Sequence, residues 1–445
     1  MNYQERLEEV AVLGAAGKMG SGIVLLTAME MVDLGLESGR SSAGFALHAL
    51  DVSQQALSGL MSYLRPQIRK AAEKKTVSLR KAYERREDLI ENEEVIGQYV
   101  EDVLAVVRPT TLLEAAYNAR VVFEAVGENP DLKVQLLSRI REHNSNDPWF
   151  LTNTSSIPIA ELNDKAKLRG RILGFHFYNP PAVQKLAELI CAESTVLELQ
   201  EFARTFAEKL KKTIVPSRDV AGFIGNGHFM RDALHGIAEA ERLSKEVSIT
   251  EALYMVNKIT QDFLIRPMGI FQLVDYVGLD VCQCILKVMN GRLRGASLHN
   301  PLLDQWISMG IRGGQNPDGS QKDGILKYEK GRPSGVWEPT KKAYVALSEI
   351  AGRCDEKLGS PPSATQPWKQ VIGRSDRAAY LEGYFRQLKE MSTPGAELAR
   401  KYGQRSKTIG LELVKDGVAA RDEDVNTVLL TGFYHSYGPI NAYFD

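Results

Sequence analysis

Cysteine is scarce in this chain of 445 residues. Cys191, Cys282, Cys284 and Cys354 are too few and too scattered for a disulfide framework, and the Cys282/Cys284 pair has no second ligand pair at zinc spacing. No metal site is expected. Net charge is scarce too: 55 basic residues meet 56 acidic ones, so no global field exists to hold nucleic acid or an anionic membrane surface. Any phosphate must be bound locally. Uninterrupted apolar runs of about eighteen residues are missing, and Met1 to Glu9 has neither the basic region nor the apolar core of a signal peptide. A cytoplasmic protein with no membrane span is the expectation. What the chain does have is 44% hydrophobic residues, enough at this length to bury two or three cores.

Short apolar runs alternate with helical periods in the first half. Glu9 to Leu13, Phe45 to Leu50, Val121 to Val126, Trp149 to Thr152, Ile172 to Phe177 and Leu186 to Cys191 have the length of buried strands. Strands alternating with helices predict a mostly parallel, doubly wound sheet. Arg65 to Glu94 interrupts them as a highly charged helical hairpin, either simply solvated or turning part of its basic face toward ligand phosphates. After about Val215 the strand signals stop and helical periods run to the end. The expected division is residues 1–215, a helical unit at 216–340, a linker at 341–370 and a second helical unit at 371–445. The two helical units resemble each other weakly: Asn257 precedes Gly269, and Asn426 precedes Gly438, by the same interval after a valine.

Gly14-Ala15-Ala16-Gly17-Lys18-Met19-Gly20 follows the first strand and opens a helix, the setting in which bare backbone approaches a pyrophosphate and free helix N–H groups face its charge. Asp51 ends the second strand, where a carboxylate accepts hydrogen bonds from an adenosine ribose and repels a 2′-phosphate, favouring NAD over NADP. The GxxGxxG spacing is one residue longer than the usual fingerprint. The glycines and serines of Gly35 to Gly44 read as an insertion that lengthens the path to Asp51. Further along, Gly174-Phe175-His176-Phe177-Tyr178-Asn179-Pro180 sets a histidine between aromatics near a strand end. Glu188 follows where a neighbouring strand returns. These are the parts of a general base and its orienting partner, although a lone histidine in an apolar strand is more often a core residue.

Together these stretches, with Glu124 to Asn129, Thr152 to Ser156, Gly222 to Asn226 and Arg266 to Asp280, occur in one order over about residues 8–335, and in that order the chain resembles the L-3-hydroxyacyl-CoA dehydrogenase family. The resemblance implies a Rossmann-type doubly wound N-terminal domain. All-α C-terminal units of the 6-phosphogluconate dehydrogenase C-terminal-like type would follow it. It also implies NAD-dependent oxidation of the 3-hydroxyl of an acyl-CoA. On the matching positions, His176 is the base and Glu188 its partner, Ser155 touches cofactor and substrate, and Asn226 lies by the substrate's polar groups. The cofactor set is Gly14, Gly17, Lys18, Met19, Gly20, Asp51, Glu128, Lys133, Asn153, Ser155 and Asn179, and Lys74 falls where the family has a lysine near CoA phosphates. Competing structural roles are a helix cap for Ser155, a turn or cap for Asn226 and an ordinary surface position for Lys133.

The chain departs from the family pattern at three places. Ala221 replaces a proline, and Gly227 stands where an arginine usually follows the asparagine, which predicts a looser helix start. Tyr178 replaces the commoner phenylalanine and is read as benign. Helices beyond about residue 336 match the long members of the family, with two tandem C-terminal units. The second unit is expected to cover the apolar face that short members bury by dimerising, giving a monomer or weak homodimer. Two other functions remain open from the sequence: a dehydrogenase of small hydroxy acids lacking CoA, and a nucleotide-binding structural or sensor protein without turnover.

Overall fold

The computed structural model describes residues 2–39, 44–293, 295, 297–316 and 319–445. Two compact units divide the chain, Met1–Asp219 and Val220–Asp445.

The first unit is built on eight strands: β1 (Glu9–Leu13), β2 (Ala46–Leu50), β3 (Val107–Thr110), β4 (Val121–Glu124), β5 (Trp149–Thr152), β6 (Ile172–Phe177), β7 (Leu186–Ile190) and β8 (Thr213–Ser217). Their order in the sheet is β3-β2-β1-β4-β5-β6-β7-β8. Every pair is parallel except β6 with β7. The chain leaves β1 toward β2 and β3 and later returns to β4 on its other side, so the switch in strand order falls between β1 and β4. Strands β4 to β7 are buried along their whole length because helices cover both faces, which is why they read as continuous apolar runs. The charged or hydrogen-bonding exceptions within them are informative. Glu124 and Thr152 are the last residues of β4 and β5, His176 is the penultimate residue of β6, and Glu188 pairs with it in register on β7. Polar groups thus gather at the carboxyl ends of the strands, where open α/β sheets bind ligands.

The charged stretch is a hairpin. Leu57, Leu60, Leu64 and Ile68 recur at helical spacing on the Gln54–Lys74 helix and pack it on the Asn92–Val106 helix, with Thr76–Ala82 between. Its basic residues are largely engaged within the hairpin and its support. Arg65 pairs with Glu101, Arg69 with Glu93 and Arg86 with Asp88, and Lys75 donates to Asp33 at 2.6 Å and to the Tyr99 hydroxyl at 2.7 Å. The solvated-hairpin reading accounts for these contacts. Gly35 to Glu37 belong to the Gly20–Glu37 helix, while positions 40–43 of the expected insertion lie outside the described residues.

In the second unit, helices Gly225–Leu243, Ile249–Lys258, Ile270–Val277, Leu279–Asn290 and Pro301–Ser308 precede a small antiparallel sheet, β9 (Leu326–Glu329), β10 (Arg332–Glu338) and β11 (Ala343–Ala346). Helices Leu347–Leu358, Trp368–Ile372, Arg377–Glu390, Pro394–Lys415 and Asp422–Gly432 follow. The unit is helical in the main, but strand signals do not end at Val215: β8 runs to Ser217, and β9–β11 occupy part of the region expected to be helix and linker. Residues 341–370 carry β11, a full helix and the start of another, leaving 359–367 as the stretch without helix or strand.

The weak repeat is real in geometry. A Cβ on Gly269 would lie 2.2 Å from Asn257 Oδ1, and one on Gly438 2.3 Å from Asn426 Oδ1, so only glycine lets each turn close on its asparagine. Asn257 Oδ1 accepts from Phe271 N at 3.1 Å, and Asn426 Oδ1 from Ile440 N at 3.0 Å, each fourteen residues on. Four residues before each glycine, Ile265 and Tyr434 both adopt positive φ, +48° and +55°. The Pro394–Lys415 helix packs on the Gly225–Leu243 helix, and Phe263, Leu264, Tyr384, Phe385, Tyr402 and Phe444 share one core.

Candidate active site

The turn after β1 passes against the tip of β4. Gly14 has φ +72°, and a Cβ there would lie 2.7 Å from Ala125 O; one on Gly20 would lie 2.0 Å from Gly14 O. Both positions therefore need glycine for the turn to exist at all. The turn leads into the Gly20–Glu37 helix, with Met19 at its N-cap, Gly17 and Lys18 exposed, and no acidic residue in the first turn to repel an anion. Asp51 reaches across from the end of β2: its Oδ2 accepts from Ala16 N at 3.1 Å and its Oδ1 from Ser53 N at 3.3 Å. The carboxylate is thereby fixed beside the glycine turn, and bare backbone, helix N-terminus and carboxylate together fit a dinucleotide.

The tips of β4 and β5 are tied together by buried charge. Lys133 is 1% exposed, and its Nζ donates to Glu124 Oε1 at 2.7 Å and Oε2 at 2.9 Å, with Glu128 Oε2 at 3.4 Å. Burial works against its charge, but Glu124 and Glu128 more than offset this and hold its pKa above the usual lysine value. The surface reading of Lys133 is thus overturned, because a lysine in this dry setting is spent on two carboxylates. Glu128 Oε1 accepts from Thr154 Oγ1 at 2.6 Å, Ser155 N at 3.0 Å, Ser156 N at 3.0 Å and Ser156 Oγ at 2.7 Å, wrapping the loop after β5 around itself. Against the opposing effect of burial, Lys133 and these donors keep its pKa below the usual carboxylate range. Ser155 is not a helix cap, since the next helix, Ile159–Ala166, has Pro158 at that position. Asn153 clamps the next strand: its Oδ1 accepts from Phe177 N at 2.8 Å, and its N donates to Glu124 O at 2.7 Å.

On β6, His176 is buried with Nδ1 3.1 Å from Glu188 Oε1, and the two residues face each other in the antiparallel register with β7. With Nδ1–H donated to the carboxylate, the basic lone pair of the imidazole sits on Nε2. Tyr178 is more than a benign replacement, for its hydroxyl donates to the same Glu188 Oε1 at 2.6 Å. Burial and the nearby Glu188 charge raise the Tyr178 pKa well above its ordinary value, so the phenol stays a donor. Asn179 follows directly, half-buried, at the end of the β6 segment.

Comparison with known proteins bears on this arrangement. Residues 9–220 match the family model for the 3-hydroxyacyl-CoA dehydrogenase NAD-binding domain, and residues 237–322 match that for its C-terminal domain. A probable 3-hydroxybutyryl-CoA dehydrogenase of Deinococcus radiodurans is 30% identical over 226 residues, 50% of this chain and 78% of the relative. The chain belongs to the 3-hydroxyacyl-CoA dehydrogenase family. A further relative, a probable 3-hydroxybutyryl-CoA dehydrogenase of Bacillus subtilis, is 29% identical over 69% of this chain and 94% of its own length. The solved 3-hydroxybutyryl-CoA dehydrogenase of Escherichia coli shares the fold with TM-score 0.61 at 20% identity, over 98% of this chain and 90% of that one. As a 3-hydroxyacyl-CoA dehydrogenase the protein is an oxidoreductase acting on CH–OH groups, with NAD as cofactor.

Within this dehydrogenase the first unit gathers the glycine turn, Asp51, Glu128, Lys133, Asn153, Ser155 and His176 at the carboxyl ends of its parallel strands, with Glu188 on the antiparallel β7 opposite His176. Asn226 is the second residue of the Gly225–Leu243 helix in the other unit, inside the helix and not its cap. Lys74 is the exposed last residue of the Gln54–Lys74 helix. Sequence reasoning assigned no role to Glu124, Thr152, Thr154, Ser156 or Tyr178. The available signal was a carboxylate ending an otherwise apolar strand, Val121-Val122-Phe123-Glu124, since a buried acid demands a cation nearby. Among the described residues, no helix is long and apolar enough to cross a membrane, and no group of His, Cys, Asp or Glu is placed to hold a metal.

Proposed function

We propose that this chain oxidises (S)-3-hydroxyacyl-CoA to 3-oxoacyl-CoA, with His176 as general base and Glu188 as its orienting partner, in fatty-acid β-oxidation or related acyl-CoA metabolism. The observation that carries the reading is the 3.1 Å contact between His176 and Glu188 on β6 and β7 of the same sheet whose β1 runs into the glycine turn. NAD supplies the acceptor for the hydride that leaves C3. His176 Nε2 takes the hydroxyl proton as the C=O bond forms, and Glu188 stabilises the resulting imidazolium. A placed base of this kind contributes about 10²–10⁴ in rate, roughly 3–5 kcal/mol of barrier. Ser155 and Asn226 polarise the oxygens on which charge develops, and Lys74 meets CoA phosphate. In the same reading the protein is a monomer or weak homodimer, because the second helical unit occupies the face a partner would cover.

The test is NADH formation, followed by absorbance, with 3-hydroxybutyryl-CoA and longer homologues, offering NAD and NADP separately. Turnover of CoA esters with NAD is expected. Turnover of a free hydroxy acid with none of any CoA ester would replace the substrate class, and binding of NAD with no turnover at all would leave a sensor. A tight dimer through residues 216–335 in sedimentation would overturn the assembly.

A further inference from the structure

We propose that the second helical repeat is part of the substrate apparatus: Leu413 and Ser406, both on the Pro394–Lys415 helix, hold the first turn of the Gly225–Leu243 helix and so position Asn226. This rests on the acyl-CoA reading above and adds two positioning residues to it. The contacts fall on the two residues that follow Asn226. A Cβ on Gly227 would stand 2.9 Å from Leu413 Cδ2, so the place where the family pattern has an arginine side chain is here filled by the other repeat. The expected looseness is absent. Gly227 is buried, its N donates to Gly222 O at 2.8 Å, and its O accepts from Arg231 Nη1 at 2.7 Å.

His228 comes next, 1% exposed, with Nε2 3.1 Å from Ser406 O and 3.3 Å from Ser406 Oγ. Burial lowers its pKa to about 4, so the ring is neutral and donates from Nε2. Ser406 Oγ also accepts from Arg266 Nη2 at 3.1 Å, and Arg266 Nη1 reaches Asp232 Oδ2 at 2.6 Å, one turn along the same helix as His228. The first turn of a helix is where intrahelical hydrogen bonding is incomplete and ends fray. A side chain that polarises a substrate oxygen from such a turn needs outside support, because a 1 Å misplacement can cost about 10²-fold in rate. Here that support comes from Ser406, 178 residues beyond His228, and from Leu413 on the same helix.

The test uses the full-length chain as Gly227→Val, Leu413→Ala, the two combined, and Ser406→Ala. Each is followed by NADH formation with 3-hydroxybutyryl-CoA, by NAD affinity and by amide hydrogen exchange over residues 222–232. Gly227→Val is expected to lower kcat/KM for the thioester by about tenfold or more, with NAD affinity within about twofold and faster exchange in the segment. Adding Leu413→Ala makes room and is expected to restore kcat/KM to within about threefold. Ser406→Ala removes a hydroxyl without adding bulk, so it serves even if Gly227→Val does not fold, and it is expected to raise KM for the thioester about fivefold. Lowered thermal midpoints with unchanged kcat/KM of the folded enzyme would overturn the proposal, as would failure of Leu413→Ala to restore activity. Turnover indifferent to every variant refutes this inference alone. Absence of turnover of any CoA ester by the unaltered protein refutes the acyl-CoA reading and this one with it.

Discussion

In the N-terminal unit the buried carboxylates Glu124 and Glu188 stand at one end of the sheet, each facing a basic side chain close to the candidate chemistry, Lys133 and His176. In the C-terminal unit Asp232 and Asp275 lie instead between elements far apart in sequence. Asp232 pairs with Arg266, which also binds Ser406, and Asp275 accepts from Ile325 N at 2.7 Å, Leu326 N at 2.9 Å and the Tyr328 hydroxyl at 3.0 Å. Both units bury carboxylates against hydrogen-bonding partners; in one the partners stand at the candidate site, in the other they tie together segments distant in sequence.

Removing the proposed base should separate the two uses most clearly. His176→Ala is expected to lower kcat by about 10²–10⁴ while leaving the thermal midpoint within about 3 °C and NAD affinity nearly unchanged. A comparable loss of midpoint would show that the histidine is structural and break the contrast. Arg266→Met should do the converse. It strands Asp232 without its cation and is expected to cost about 3–5 kcal/mol in denaturant unfolding, with NAD affinity retained.

Asp275 sharpens the contrast through pH. Burial pushes its carboxyl up to about 7, although three hydrogen bonds pull the other way. A group whose folded pKa exceeds its unfolded value of about 3.9 binds its proton more tightly in the native state. Its contribution is complete below about pH 4, declines as pH rises and is lost above about 7. Urea midpoints at pH 5 and pH 8 should differ by an amount equivalent to at most ~3 kcal/mol from this group. Asp275→Asn should flatten that difference, and an unchanged difference would sink the assignment. The smallest effect is expected at Tyr178→Phe. Without the phenol Glu188 loses one hydrogen-bond donor, and kcat/KM should stay within about threefold of that of the unaltered protein; a larger loss would give the hydroxyl a greater part in holding the pair.

The sequence revealed what depends on period and on bare backbone. Six of the eight large-sheet strands are apolar runs whose length is legible, and the glycine turn declares itself by sitting between a strand and a helix. The strands it hid are those in which burial is partial. β3 reads Val-Arg-Pro-Thr and β8 alternates irregularly, as edge strands can, while β9–β11 form a small sheet with many half-exposed positions. Of the site, His176 and Glu188 were legible because a twelve-residue return suits a strand pair. Glu124, Thr152 and Ser156 were not, since their importance lies in which other side chains they meet. Tyr178 was misjudged for the same reason: a substitution that conserves the ring looks neutral until the partner of its hydroxyl is known. Gly227 acquires its meaning only from Leu413, a residue of the other repeat.

The shared core of the two repeats also sets a schedule. The Ser436 hydroxyl donates to Ile265 O at 2.7 Å across 171 residues of chain, and Phe263 packs in one core with Tyr384, Tyr402 and Phe444. At ~5–20 residues per second of synthesis, Ile265 is made roughly 9–34 seconds before Ser436, whose hydroxyl it accepts from. During that interval the apolar face of the first repeat is open to water and to every neighbouring chain, so the step most exposed to aggregation precedes completion of the protein. Slower translation past residue 300 would lengthen that exposure without altering a single native contact.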